Sequence, residues 1–71
     1  MDEIQIRGEM IRLGQLLKLA GLLDSGAEAK EFLAGRPVLV NGEPEQRRGR
    51  QLRDGDVITV AGRSLRIAAL G

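Results

Sequence analysis

The chain has 71 residues, which suffices for one small domain around one hydrophobic core. It contains no Cys and no His, which excludes disulfides, thiol nucleophiles, thiolate metal sites, imidazole bases and the usual zinc ligands. The net charge of +1 hides an asymmetry: residues 1–35 carry four basic and six acidic side chains, and residues 36–71 carry seven basic and four acidic.

Ile4-Gln5-Ile6-Arg7 alternates apolar and polar, the pattern of a short strand, and Gly8 ends it. Leu13, Leu16, Leu17 and Ala20 then follow helical spacing, with Arg12, Gln15 and Lys18 on the other side. Gly21 is placed to take the left-handed position that closes this helix. Gly14 inside it costs about 1 kcal/mol against Ala, which predicts the close approach of another backbone. Ser25-Gly26-Ala27-Glu28 is a capping-box sequence for a second helix running to about Ala34 and burying Ala29, Phe32 and Leu33. Gly35 closes that helix, and Pro37 forces Arg36 into an extended conformation.

The remainder predicts strands. Val38-Leu39-Val40 leads into Asn41-Gly42, whose residues both tolerate the positive φ of a type I′ hairpin turn. Pro44 places the returning strand at an edge. Asp54-Gly55 is a further turn, and Val57–Val60 and Ser64–Ile67 are strands joined by Ala61-Gly62. The expected class is α+β, a two-helix motif packed on a small, mostly antiparallel sheet, as one domain over residues 1–71. The expected core is Leu13, Leu16, Leu17, Ala29, Phe32, Leu33, Val38, Val40, Val57 and Leu65.

Enzyme constellations are nearly absent. Ser25, Ser64 and Thr59 are the only hydroxyl nucleophiles, and without His no Ser-His-Asp triad can be built. No phosphate-cradling Gly-rich motif occurs. Asp54-Gly55-Asp56 is half a calcium loop without the remaining oxygen ligands, so a plain turn is the better reading. Glu43 and Glu45 belong to an edge strand and are expected on a solvated face. No catalytic residue, cofactor or metal is expected.

The segment Gln46–Arg53 is different. It holds four Arg and no acid, and over the whole chain Arg outnumbers Lys nine to two. Arg grips phosphate oxygens through a planar fork, so this choice favours an anionic partner over a loop that is merely kept soluble by charge. Lys18 and Arg12 share the exposed side of the first helix and Lys30 sits on the second. The start of that second helix, with Gly26 at its first position, also offers N–H groups to an anion. Phe32 is the only aromatic residue, so a base-stacking sheet, which needs about two or three, is excluded. No apolar run approaches the roughly 20 residues that span a bilayer, and the acidic start Met1-Asp2-Glu3 does not match a signal peptide. A cytoplasmic protein is expected.

Four stretches together resemble a known family: Arg12-Leu13-Gly14-Gln15-Leu16-Leu17-Lys18-Leu19-Ala20-Gly21-Leu22, then Ser25-Gly26-Ala27-Glu28-Ala29-Lys30, then Val38-Leu39-Val40-Asn41-Gly42-Glu43, then Gly55-Asp56-Val57-Ile58. The family is the RNA-binding domain of ribosomal protein S4, and the sequence is most similar to its short standalone bacterial members, the YbcJ/YaaA-like proteins. The resemblance covers residues 4–67. It implies the S4-like, or alpha-L, RNA-binding fold and a non-catalytic, ribosome-associated bacterial protein. The implied partner is structured RNA, ribosomal or transfer RNA, bound by a monomer without a membrane. Carried onto matching positions, it implies that Arg12, Lys18, Ser25, Lys30, Asn41, Arg47, Arg48 and Arg50 form or flank the RNA face. Two positions depart from the family pattern: Gly26 stands where many members have Arg, and Arg36 where many have Gly.

Val38-Leu39-Val40-Asn41-Gly42-Glu43 with the later Leu52–Val60 is similar also to the β-grasp sulfur carriers, which form the alternative. Those act through a flexible Gly-Gly carboxylate, whereas this sequence ends Ala69-Leu70-Gly71 directly after a predicted strand. A β-grasp fold also has no need of two helices ahead of its Val-Asn-Gly strand. A protein–protein adaptor without RNA is a third possibility, which the Arg-rich loop and the scarcity of exposed large apolar residues disfavour.

Overall fold

The computed structural model describes residues 1–70. Gly71, the lone terminal glycine of the sulfur-carrier argument, lies outside the described residues. In chain order the elements are β1 (Asp2–Ile6), β2 (Ile11–Arg12), α1 (Leu13–Leu19), a 3-10 turn (Gly26–Glu28) and α2 (Ala29–Gly35). They are followed by β3 (Val38–Val40), β4 (Glu43–Pro44), β5 (Gln51–Leu52), β6 (Val57–Val60) and β7 (Arg63–Ala69). The α+β class is as expected. No helix among the described residues is long and apolar enough to cross a membrane.

Five strands form one sheet in the order β1-β7-β6-β3-β4, antiparallel throughout except for the parallel β1–β7 pair. Both hairpin turns have the left-handed backbone that type I′ requires: φ is 52° at Asn41 and 84° at Gly42, then 51° at Ala61 and 75° at Gly62. Pro44 does lie on an edge strand, where its missing N–H leaves no ladder bond unmade. β2 and β5, which the sequence pattern did not resolve as a pair, form a separate two-stranded ladder with Arg12 opposite Gln51 and Ile11 opposite Leu52.

Helix α1 ends as its sequence predicts. The Gly21 amide donates to the Lys18 carbonyl at 3.0 Å and the Leu22 amide to the Leu17 carbonyl at 2.9 Å, with Gly21 at φ 80°. This is the paired hydrogen bonding of a Schellman cap. The start of α2 differs from expectation. The Glu28 amide donates to the backbone carbonyl of Ser25 at 3.2 Å, closing a 3-10 turn, and α2 begins only at Ala29 without a side-chain cap. A capping box needs that same amide for the Ser25 hydroxyl, so the turn displaces the box. Gly26 consequently opens the 3-10 turn and is not the first residue of α2. Arg36 is extended at φ −134° and ψ 139°, as its place before Pro37 demands.

One cluster of buried side chains joins the helices to the sheet: Leu13, Leu16 and Leu17 from α1, Ala29 and Leu33 from α2, and Val38, Val40, Ile58, Val60, Leu65 and Ile67 from the sheet, with Ile6, Leu23 and Leu52 completing it. Two of the ten expected core residues are misplaced. On β6 the buried residues are Ile58 and Val60, so Val57 falls on the opposite face and is only half-buried. A strand's side chains alternate, and the pairing of Val40 with Ile58 and Val38 with Val60 fixes which parity faces inward. Phe32 is half-buried at the rim of the core, with the Arg36 guanidinium 5.2 Å from its ring centroid.

Candidate nucleic-acid interface

The Arg-rich segment leaves β4 at Glu45, whose amide donates to the Val38 carbonyl at 2.8 Å and extends the hairpin past Pro44. Glu45 is the one charged side chain buried among the described residues, 8% exposed. This reverses the expectation of a solvated carboxylate, because the loop that follows folds over it. Its Oε2 accepts from the Gln46 amide (3.1 Å), the Arg47 amide (3.2 Å) and Arg47 Nε (3.1 Å). Its Oε1 accepts from Arg47 Nη2 (3.2 Å) and Arg50 Nη1 (2.8 Å). The side-chain bonds from Arg47 and then Arg50 outweigh the burial that opposes ionisation, and hold the carboxyl at about 2.

The loop is fastened to α1 as well as to Glu45. The first helical amides of α1 have no intrahelical carbonyl to bond. Here the Leu13 amide donates to the Arg50 carbonyl at 2.8 Å and the Gly14 amide to the Arg48 carbonyl at 2.9 Å. The amide of the preceding Arg12 donates to Gln15 Oε1 at 3.1 Å. Gly14 has no side chain for a reason visible in this contact. A Cβ there would lie 3.3 Å from the Ala29 Cβ, 3.4 Å from the Arg48 Cβ and 3.5 Å from the Arg48 carbonyl oxygen. The close backbone approach predicted at Gly14 is therefore made by the Arg-rich loop, with α2 on the other side.

This scaffold gathers the basic side chains. A shallow cleft is lined by Arg47, Gly49, Arg50, Gln51 and Arg53. It shares Gly49 with a second cleft lined by Arg12, Gly14, Gln15 and Arg48. That one in turn shares Gln15 with a third, formed by Ile11, Lys18 and Leu19. Among the described residues no carboxylate lines any of the three. The outer parts of the guanidiniums remain available: the Arg47 side chain is 76% exposed although two of its nitrogens face Glu45, and Arg12, Arg48 and Arg53 are exposed.

Of the eight residues singled out in the sequence, Arg12, Lys18, Arg47, Arg48 and Arg50 thus share one continuous surface. Lys30 is exposed on the first turn of α2, and none of the three clefts reaches it. Ser25 is half-buried, and its carbonyl is tied into the 3-10 turn. Asn41 serves the fold: its Oδ1 accepts from the Val57 amide at 2.9 Å and its Nδ2 donates to Asp56 Oδ1 at 3.1 Å. Two residues were missed. Arg53 joins the Arg47 cleft, and Glu45 organises it. The sequence signal for Glu45 was present, since Arg stands two and five residues after it. Asp54 and Asp56 do form a turn, their carboxylates accepting from the amides of Ala69 (2.9 Å) and Arg53 (2.8 Å). No cluster among the described residues has the composition of a metal site.

Comparison with known proteins matches the S4 domain family over residues 4–68. The chain is 56% identical over 61 residues to a Bacillus subtilis (strain 168) protein named "Probable ribosome maturation protein RlbA", a match covering 86% of each chain. It is 37% identical over 59 residues to "Putative RNA-binding protein YbcJ" of Escherichia coli (strain K12), covering 83% of this chain and 84% of that one.

Proposed function

The chain belongs to the S4 domain family, and from that premise we propose that it is a non-catalytic RNA-binding protein whose Arg-rich loop and adjoining α1 surface take the backbone phosphates of a folded RNA. The observation that carries this reading is the run of exposed cations across three contiguous clefts, on a loop fixed to the N-terminus of α1 and to a buried carboxylate. A mobile basic tail would track any polyanion. Cations held on a rigid frame favour a partner whose phosphates are themselves fixed in space. With Phe32 the single aromatic and none lining the three basic clefts, a row of splayed single-stranded bases has no aromatic platform there. Ribosomal RNA is the favoured partner, because the name of the Bacillus relative refers to ribosome maturation. Nothing favours the sulfur-carrier alternative, since the family match and the helix pair ahead of β3 both fit the S4 domain.

The test compares affinity for a folded ribosomal RNA fragment with affinity for an unstructured oligomer of equal length at the same salt concentration. Tighter binding to the folded fragment is expected. Tighter binding to the unstructured strand would refute the proposed mode.

A further inference from the structure

Glu45 is a puzzle within that reading. A buried negative charge beneath a phosphate-binding loop lowers the local positive potential, so simple attraction to RNA would be stronger without it. The same carboxylate makes five hydrogen bonds, two to backbone amides of the loop and three to the guanidiniums of Arg47 and Arg50. Resting on the RNA-binding reading, we propose that Glu45 is a positioning residue: it fixes the Arg47 and Arg50 side chains in advance, so that their outward nitrogens meet RNA phosphates without being ordered at the moment of binding.

The geometry favours positioning over neutralisation. Glu45 holds Arg47 through Nε and Nη2, one edge of the planar fork, and leaves Nη1 and the second Nη2 hydrogen directed elsewhere. It holds Arg50 through Nη1 alone, so Nε and Nη2 stay unengaged by the carboxylate. Each guanidinium can therefore hold Glu45 and accept a phosphate at once. An Arg side chain carries substantial rotamer entropy, and a long, mostly exposed one such as Arg47 would otherwise lose it on binding. Because Glu45 also takes the Gln46 and Arg47 amides, it sets the loop backbone and the side chains together.

Two measurements on the full chain decide the matter. The first needs no RNA. In the free wild-type protein, the Arg47 Nε–H should give a sharp, slowly exchanging NMR signal with an order parameter near that of the backbone. This ordering should be lost in Glu45→Gln and in Glu45→Asp, which keeps the charge but is shorter by one methylene. An Arg47 Nε–H as mobile in wild type as that of exposed Arg66 would overturn the proposal, whatever the variants do. The second is affinity for a folded ribosomal RNA fragment across salt concentrations, at a temperature where unfolding curves show each variant folded. Positioning predicts that Glu45→Gln binds about 3- to 10-fold more weakly although the protein gains a positive charge. It also predicts that the loss vanishes when Arg47 and Arg50 are both already Ala. Tighter binding by Glu45→Gln, or an undiminished loss in the Arg47→Ala/Arg50→Ala background, would overturn positioning while leaving RNA binding standing. Failure of the wild type to bind the fragment even at low salt would overturn the RNA reading, and the purpose assigned to Glu45 with it.

Discussion

Glu45 also ties the stability of the protein to pH. Its carboxyl is lowered from an ordinary 4.5 to about 2, chiefly by the Arg47 and Arg50 hydrogen bonds. Protonation therefore favours the unfolded chain. The stabilisation is complete above the unfolded value and is lost as pH falls from about 4.5 through about 2. Its size is at most about 3 kcal/mol, and less because water around the exposed Arg47 guanidinium screens the pair. Urea unfolding between pH 6 and pH 2 should show the wild type losing more stability than Glu45→Gln over the acid part of that range. Parallel curves would mean that the carboxylate gains nothing from its arginines. Arg48 contrasts with these residues. It is exposed and makes no ion pair among the described residues, while its backbone carbonyl caps α1.

At the scale of elements, the α1 N-terminus and the Arg-rich loop form one unit, and Gly14 is where they touch. Gly14→Ala would add helix propensity worth about 1 kcal/mol, but its Cβ would meet the Ala29 Cβ and the Arg48 main chain. Neither neighbour is the free end of a flexible side chain: Ala29 is in the core and the Arg48 carbonyl is pinned by the Gly14 amide. The crowding should outweigh the propensity gain, leaving a net loss of about 1 kcal/mol in thermal or urea unfolding. An increase in stability would show that the loop yields freely.

Much of this architecture was legible in local chemistry. Asn41-Gly42, Gly21 and Arg36-Pro37 all adopt the backbone their residue types dictate, because each effect acts within a few positions. The parallel pairing of β1 with β7 was not legible, since it joins the two ends of the chain and depends on packing. A short strand around Leu52 is legible and forms as β5, whereas the two-residue β2 that pairs with it is too short to carry a period. The same division applies to the site. Arg47, Arg48 and Arg50 are adjacent in sequence and remain adjacent in space. Arg12 joins them through the β2–β5 ladder, the α1 cap and its own Nη1, which donates to the Gly49 carbonyl at 3.5 Å, and Lys30 does not join them. Glu45 has both arginine partners close by in sequence, but its burial arises from the fold of the loop over it, which no local pattern fixes.

At the scale of the whole molecule the surface clefts differ in the charges that line them. The Cα radius of gyration is 10.8 Å, close to the roughly 11 Å of a compact chain this long. Glu28 and Glu31 line a cleft with Leu22, Leu23, Phe32 and Arg36 on the α2 side. The cations of the loop and α1 line the three clefts free of carboxylates. If the proposed RNA reading holds, such a distribution would steer the loop side toward a polyanion. A net charge of +1 understates this, because binding samples the face and not the sum.

Arg48 is the sharpest probe of phosphate contact by the exposed cations of this face, because its side chain makes no ion pair among the described residues. The measurement is the salt dependence of affinity for a folded ribosomal RNA fragment, for wild type and for Arg48→Ala, with thermal unfolding of both proteins. Each phosphate contact contributes about 0.9 to the logarithmic salt slope on duplex-like RNA, and somewhat less on single strands. Arg48→Ala should lower the slope by roughly one unit and weaken binding to different RNAs about equally, with stability unchanged within about 0.5 kcal/mol. An unchanged slope and affinity would contradict phosphate contact, and a loss of stability in step with the loss of binding would assign Arg48 to the fold instead.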